Sequence, residues 1–251
     1  MKLRTTVLPV VAAAVVFVLA WKLIVVVGNY PAFILPAPEV VARRFVDAWL
    51  DGTMTPHAWA TLSEIGLGFA VGATLAVGLG YLLARSRLAE RMLSPYIVAA
   101  QATPVLVLAP LLVLWLGTGL LPKVVICALI VFFPVAVATM VGIRSVDRRQ
   151  LELGHSLRAS HWQVLVHLEL PAALPQILGG MRVGVTLAVI GAIVGEWAGA
   201  DRGLGVLVNL ARGSLFDFPL MFATLATIAL IALALYLIVL VIERALVGAW
   251  R

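Results

Sequence analysis

Six stretches, at residues 5–27, 61–84, 93–117, 122–142, 177–197 and 220–242, are apolar over a length that crosses a bilayer as helix, which takes about 20 residues each. A soluble domain of this size would need a polar face on every helix. The chain lacks the material: 63% of its 251 residues are hydrophobic and 12% charged, roughly half the charge of an average soluble domain. The reading is an all-α membrane protein, one transmembrane domain over residues 1–251 with six spans. The first run follows Lys2 and Arg4, yet it exceeds the roughly 7–15 residues of a signal-peptide core and further spans follow, so it reads as a retained span.

A net charge of +6 could suggest a nucleic-acid binder, but such proteins gather Lys and Arg on one water-facing surface. Here the basic residues stand between apolar runs and act as topology markers. With the N-terminus inside, Lys2, Arg4, Arg85, Arg87, Arg91, Arg144, Arg148, Arg149, Arg158, Arg244 and Arg251 are cytoplasmic. Arg43, Arg44, Arg202, Arg212 and Lys123 fall outside. Eleven against five selects this orientation under the positive-inside rule, with both termini cytoplasmic. Residues 28–60 carry Pro31, Pro36, Pro38 and Pro56 and read as an external loop holding one amphipathic helix over 39–50. Lys22 lies near the outer end of the first span, where its side chain can reach the headgroups.

Within the spans, Gly68, Gly72, Ala76, Gly80 and Ala84 recur every four residues, a ridge of small side chains that lets a second backbone approach. The fifth span carries two such rows, Gly180-Gly184-Ala188-Ala192 and Gly191-Gly195-Gly199, which suggests packing on two sides. The third span holds Pro95, Pro104 and Pro110, each expected to bend or break the helix. Irregular backbone at membrane depth survives only against protein or water, so this segment is expected to line a pathway, with Gln101, Thr103 and Pro104 beside it. Ionisable groups at depth are costly and face protein or water. Glu196, with Trp197, is expected at a gate or at the outer interface, and Arg182 at the cytoplasmic headgroups or Glu169.

Residues 144–171 are too polar to span but patterned. Leu153, Leu157, Val164 and Leu168 form one apolar stripe of an amphipathic helix, which Pro171 and Pro175 should stop before the fifth span. Periodicity alone leaves open whether this helix lies on lipid or docks into a soluble partner.

Glu152-Leu-Gly-His-Ser-Leu-Arg158-Ala-Ser160, followed by Leu170-Pro171-Ala-Ala-Leu-Pro175, resembles the coupling loop of binding-protein-dependent ABC transporter permeases. The resemblance covers nearly the whole chain. Leu35-Pro-Ala-Pro38, Ala102-Thr-Pro104, Ala109-Pro-Leu111, Phe132-Phe-Pro134 and Gly203-Leu-Gly205 stand in the order seen in the nitrate, sulfonate and taurine branch. Ile190 to Trp197 and Gly199 to Gly203 look closer to permeases for thiamine-pyrimidine or riboflavin precursors. The resemblance implies a six-helix permease of the type I ABC importer kind in the bacterial inner membrane, for a small anionic or heterocyclic organic solute. It implies a homodimer in membrane lipid, with cytoplasmic ATPases that bind ATP and Mg and a periplasmic or lipid-anchored binding protein. Glu152, Leu153, Gly154, Leu157, Arg158, Ala159, Ser160 and Pro171 would form the coupling segment. Glu152 takes the family's Glu place, Leu153 and Gly154 its two small places, and Arg158 stands where the family usually has Gly. Glu64 is a second departure, since relatives carry a basic residue near there.

The chain's three lysines follow Met1, Trp21 and Pro122, so no Gly-Lys phosphate loop is present, and ATP hydrolysis falls to a partner. His155, His161 and His167 are six residues apart, which scatters them around a helix and sets up no zinc pair. No Gly-x-Ser-x-Gly elbow or other catalytic cluster occurs, and an enzyme is not expected. The competing class is an ATP-independent secondary transporter.

Overall fold

Long apolar runs rich in Leu, Ala and Val close their backbone hydrogen bonds internally, and the structure, a computed structural model describing residues 2–248, is helical along those runs with one break, in the third. In order it comprises α1 (Lys2–Gly28), α2 (Pro38–Leu50), α3 (Met54–Arg85), α4 (Arg87–Ala102), α5 (Val105–Leu116) and α6 (Leu120–Arg144). There follow α7 (Arg148–Ser156), α8 (His161–Val164), α9 (Leu170–Gly199), α10 (Leu204–Gly213) and α11 (Phe218–Gly248). Arg251, assigned to the inside above, lies outside the described residues, as do the side chains of Lys2, Arg4, Arg148 and His155.

Among the described residues five helices are long and apolar enough to cross a membrane, and six spans result when α4 and α5 count as one broken crossing, bent by 94°. The break falls at Thr103–Pro104. Thr103 is extended (φ −77°, ψ 123°), the conformation that a following proline ring enforces. Pro95 and Pro110, expected to break this segment too, sit inside α4 and α5; each removes one backbone donor without ending its helix. Pro56 likewise lies in the first turn of α3, where its missing N–H would have no partner, so α3 starts before the loop boundary read from the sequence.

The centre is a layer of three helices in which α6 lies between α3 and α9. Added methyls at Gly68, Gly72 and Gly80 would overlap Cys127, Ala128 and Ala136 of α6, so the small ridge of α3 is what brings the two backbones together. The two rows on α9 do not serve two neighbours as expected. Gly180, Gly184, Gly191 and Gly195 all abut α6, and only Gly199 meets α5. Four-residue steps run ahead of the 3.6-residue helical turn, and the three-residue step from Ala188 to Gly191 returns the contact line to the same face. Ile65, Ala73, Val131, Val135, Ala188 and Ala192 fill the core so formed.

At one end, α2 and α10 lie across the bundle, and Ala48, Met54, Leu204, Leu207 and Leu220 form a second cluster. Arg44 reaches from α2 to Asp217 at 2.8 Å and to Asp51 at 3.4 Å. Thr53 hydrogen-bonds the Asp51 carboxylate, which with Arg44 holds its pKa below the usual range. Lys22, expected to reach headgroups, pairs with Glu39 of α2 instead.

At the other end Arg144 closes the helix termini. Its guanidinium donates two parallel bonds to Glu90 of α4, at 2.7 and 2.8 Å, and one to the Leu83 carbonyl in the last turn of α3. Arg85 pairs with the buried Glu169 at 3.3 Å. Arg182 therefore does not meet Glu169; it lies 2.8 Å from Glu243 of α11, a carboxylate at its own level in the bundle.

Candidate functional site

Three places carry chemistry. The first is the elbow between α6 and α9. The single amphipathic helix expected there is two, because the chain turns between them. Arg158 adopts a left-handed conformation (φ 57°), and Ser160 then caps α8 through a reciprocal box: its hydroxyl accepts from the Gln163 amide and the Gln163 side chain accepts from the Ser160 N–H. The turn also divides the expected stripe. Val164 and Leu168 face inward, where both lie against Gly154, while Leu153 and Leu157 point away from the protein with 61% and 73% of their surface exposed. Trp162, which the periodicity did not single out, joins them at 71%. Glu152 is exposed on α7 and Ala159 half-buried in the turn.

Pro171 and Pro175 do not stop the helix; backbone is helical without interruption from His161 to Gly199. A wide π turn over Leu165–Glu169 precedes Pro171, and the Leu170 N–H reaches back to the Leu165 carbonyl. The extra residue per turn makes room for a ring that a regular helix would drive into the preceding carbonyl.

The second place is a polar cluster buried at the α2–α10 end. Lys123 Nζ donates to Glu64 Oε1 at 2.8 Å, with side chains only 9% and 2% exposed. Lys123 therefore does not stand free outside the membrane. Thr61 donates to Glu196 and accepts from the Leu204 N–H, and the Gly205 N–H donates to the other Glu196 oxygen. Gly203 (φ 143°) passes so close to the Glu196 carboxylate that any side chain would overlap it. Glu196 is thus a buried tie between α3, α9 and α10 and does not line an open path. Trp197 turns outward and donates to the Gly205 carbonyl at 3.0 Å. Burying two charges is repaid only where geometry and further hydrogen bonds are good, and loss of one partner costs about 3–5 kcal/mol.

The third place is an open groove of about 530 Å³ between α4, α6 and α9, lined by Gln101, Gln176, Phe133, Pro134, Val137 and Val183 among others. Of the expected pathway residues only Gln101 lies in it. Thr103 turns its hydroxyl back onto the Ala99 carbonyl at 3.1 Å, and Pro104 begins α5. Glu196 sits beside the start of α6, next to Lys123, whereas the groove follows Phe133 to Val141 further along that helix. Gln176 was missed because it lies in a segment read as the approach to the fifth span; its one signal is an amide among apolar neighbours.

Spans closed around a three-helix layer, a broken crossing and a polar elbow displaying apolar side chains define a polytopic helical membrane protein. The chain belongs to the family of binding-protein-dependent transport system inner membrane components, which its residues 72–251 match. It is 46% identical over 227 residues to the riboflavin transport system permease protein RibX of Chloroflexus aurantiacus, covering 90% of this chain and 84% of that one. It is 30% identical over 247 residues to the taurine transport system permease protein TauC of Escherichia coli, covering 97% and 90%. The fold matches an inward-facing structure of the MetNI methionine ABC transporter with a TM-score of 0.67 at 18% identity, covering 75% of this chain and 93% of that chain.

Proposed function

We propose that this chain is the inner-membrane permease subunit of an ATP-driven importer, two copies of it working with cytoplasmic ATPases and an external binding protein. The observation that carries the reading is the elbow. Leu153, Leu157 and Trp162 form an apolar face on a polar segment outside the spans, which is what a soluble partner covers. Glu152 stands beside this face to meet a basic partner residue. ATP and Mg belong to the ATPase. Its closure moves the two elbows, and the spans rock as rigid bodies around the pathway. Both termini and the elbow lie in the cytoplasm, on the end where Arg85, Arg87, Arg91, Arg144 and Arg149 gather. The names of the relatives offer two kinds of small organic solute, a heterocyclic vitamin of the riboflavin kind or a sulfonate of the taurine kind.

The test is co-purification of the chain with its ATPase after Leu157→Asp and, separately, Glu152→Arg, at matched membrane levels. Wild type is expected to retain the ATPase, Leu157→Asp to lose most of it, and Glu152→Arg to lower uptake several-fold. Full retention and unchanged uptake in both variants would refute the docking role.

A further inference from the structure

We infer that the groove bearing Gln101 and Gln176 is where the solute touches this subunit on its way through the membrane, and that it suits an uncharged planar heterocycle and not an anion. The inference rests on the permease reading above and selects between its two solute classes.

Polar side chains inside the hydrocarbon face protein or water because lipid gives them no partner. Gln101 ends α4 just before the Thr103–Pro104 break, and Gln176 stands beside Gly142 on the adjoining face of α9. Both side chains are exposed in one groove of this copy, so the face they share meets water, solute or the second copy proposed above, and not lipid. The groove's volume, about 530 Å³, falls in the range of small-molecule sites, roughly 300–1,000 Å³. Its remaining wall is Phe133, Pro134, Val137 and Val183, an apolar and aromatic surface. Each primary amide offers one acceptor oxygen and two N–H donors, the complement of the alternating donors and acceptors along a lactam, imide or aminopyrimidine edge. An aromatic ring beside such a pair accepts the face of a flat ligand.

The same lining disfavours a sulfonate. No Lys or Arg lines the groove among the described residues. Of the cations nearest it among the described residues, Lys123 is matched with Glu64, and Arg182, whose guanidinium reaches the groove wall at Gly179, is matched with Glu243. An anion entering this apolar slot would lose its hydration without gaining a counter-charge.

The experiment uses the permease–ATPase complex in lipid nanodiscs, with riboflavin as the uncharged planar probe, read by its own fluorescence, and taurine as the sulfonate. Saturable riboflavin binding that taurine does not displace is expected. Gln101→Leu and Gln176→Leu should each weaken it about two- to tenfold, the effect of one lost neutral hydrogen bond. Gln176→Asn should recover part of the loss. Both leucine variants should still carry the ATPase, since leucine is at ease in a span. Taurine binding in place of riboflavin, absence of saturable riboflavin binding, or unchanged affinity in both leucine variants overturns the inference. A wild-type chain that retains no ATPase would instead overturn the function proposed above.

Discussion

Arg158 holds a backbone conformation that costs a residue with a side chain roughly 1–2 kcal/mol. Glycine adopts it freely but is also freer when the turn opens, so Arg158→Gly should stabilise the elbow by about 0.5–1 kcal/mol. Amide hydrogen exchange at residues 157–160 should slow about two- to fivefold, with uptake little changed; faster exchange would show that the Arg158 side chain holds the turn by itself. That position was legible because a resemblance placed Gly there. The Glu64–Lys123 pair was not: its members are 59 residues apart, and each alone looks like an ordinary charge near a helix end. Only the close approach of α3 and α6 makes them partners. Glu196 shows the same limit, since the groups that bind it come from α3 and from the first turn of α10.

Helices were easier to read than their company. The six apolar runs and the amphipathic helix over 39–50 emerge from length and hydropathy alone, and the four-residue ridge on α3 announces a close contact. Which helix it meets depends on a partner surface that spacing does not contain, so the two rows on α9 looked like two interfaces when they are one drifting seam. The prolines were ambiguous for a related reason. Pro104 breaks its crossing while Pro95 and Pro110 do not, and a π turn absorbs Pro171. The seam makes a sharp prediction. A methyl at Gly72 would stand 2.6 Å from the Ala128 carbonyl oxygen, a backbone atom that cannot swing aside. Gly72→Val should therefore cost about 1–3 kcal/mol and show as a lower melting temperature in detergent. Gly78, on the same helix but facing open space, should accept alanine without loss; equal behaviour of the two variants would mean that the ridge does not hold α3 to α6.

For the molecule as a whole, orientation follows from charge and is open to a direct check. Cys127, the one cysteine in the sequence, is completely buried, so the native chain supplies a silent background for thiol labelling. Ser156→Cys on α7 should react with a membrane-impermeant maleimide only after the cells are opened, and Asp201→Cys, beyond the far end of α9, in intact cells. The reverse pattern would invert the topology. A last consequence comes from the uninterrupted run His161–Gly199. At 1.5 Å per residue its 39 residues make a rod of about 58 Å, longer than a bilayer is thick. Tilting such a rod by some 5° about one end sweeps the other through about 5 Å, so a push on Trp162 arrives at Glu196 as leverage, with no chain of side-chain rearrangements between them. The wide turn at Leu165–Glu169 and Pro175 just beyond it are where the stroke could be lost to bending.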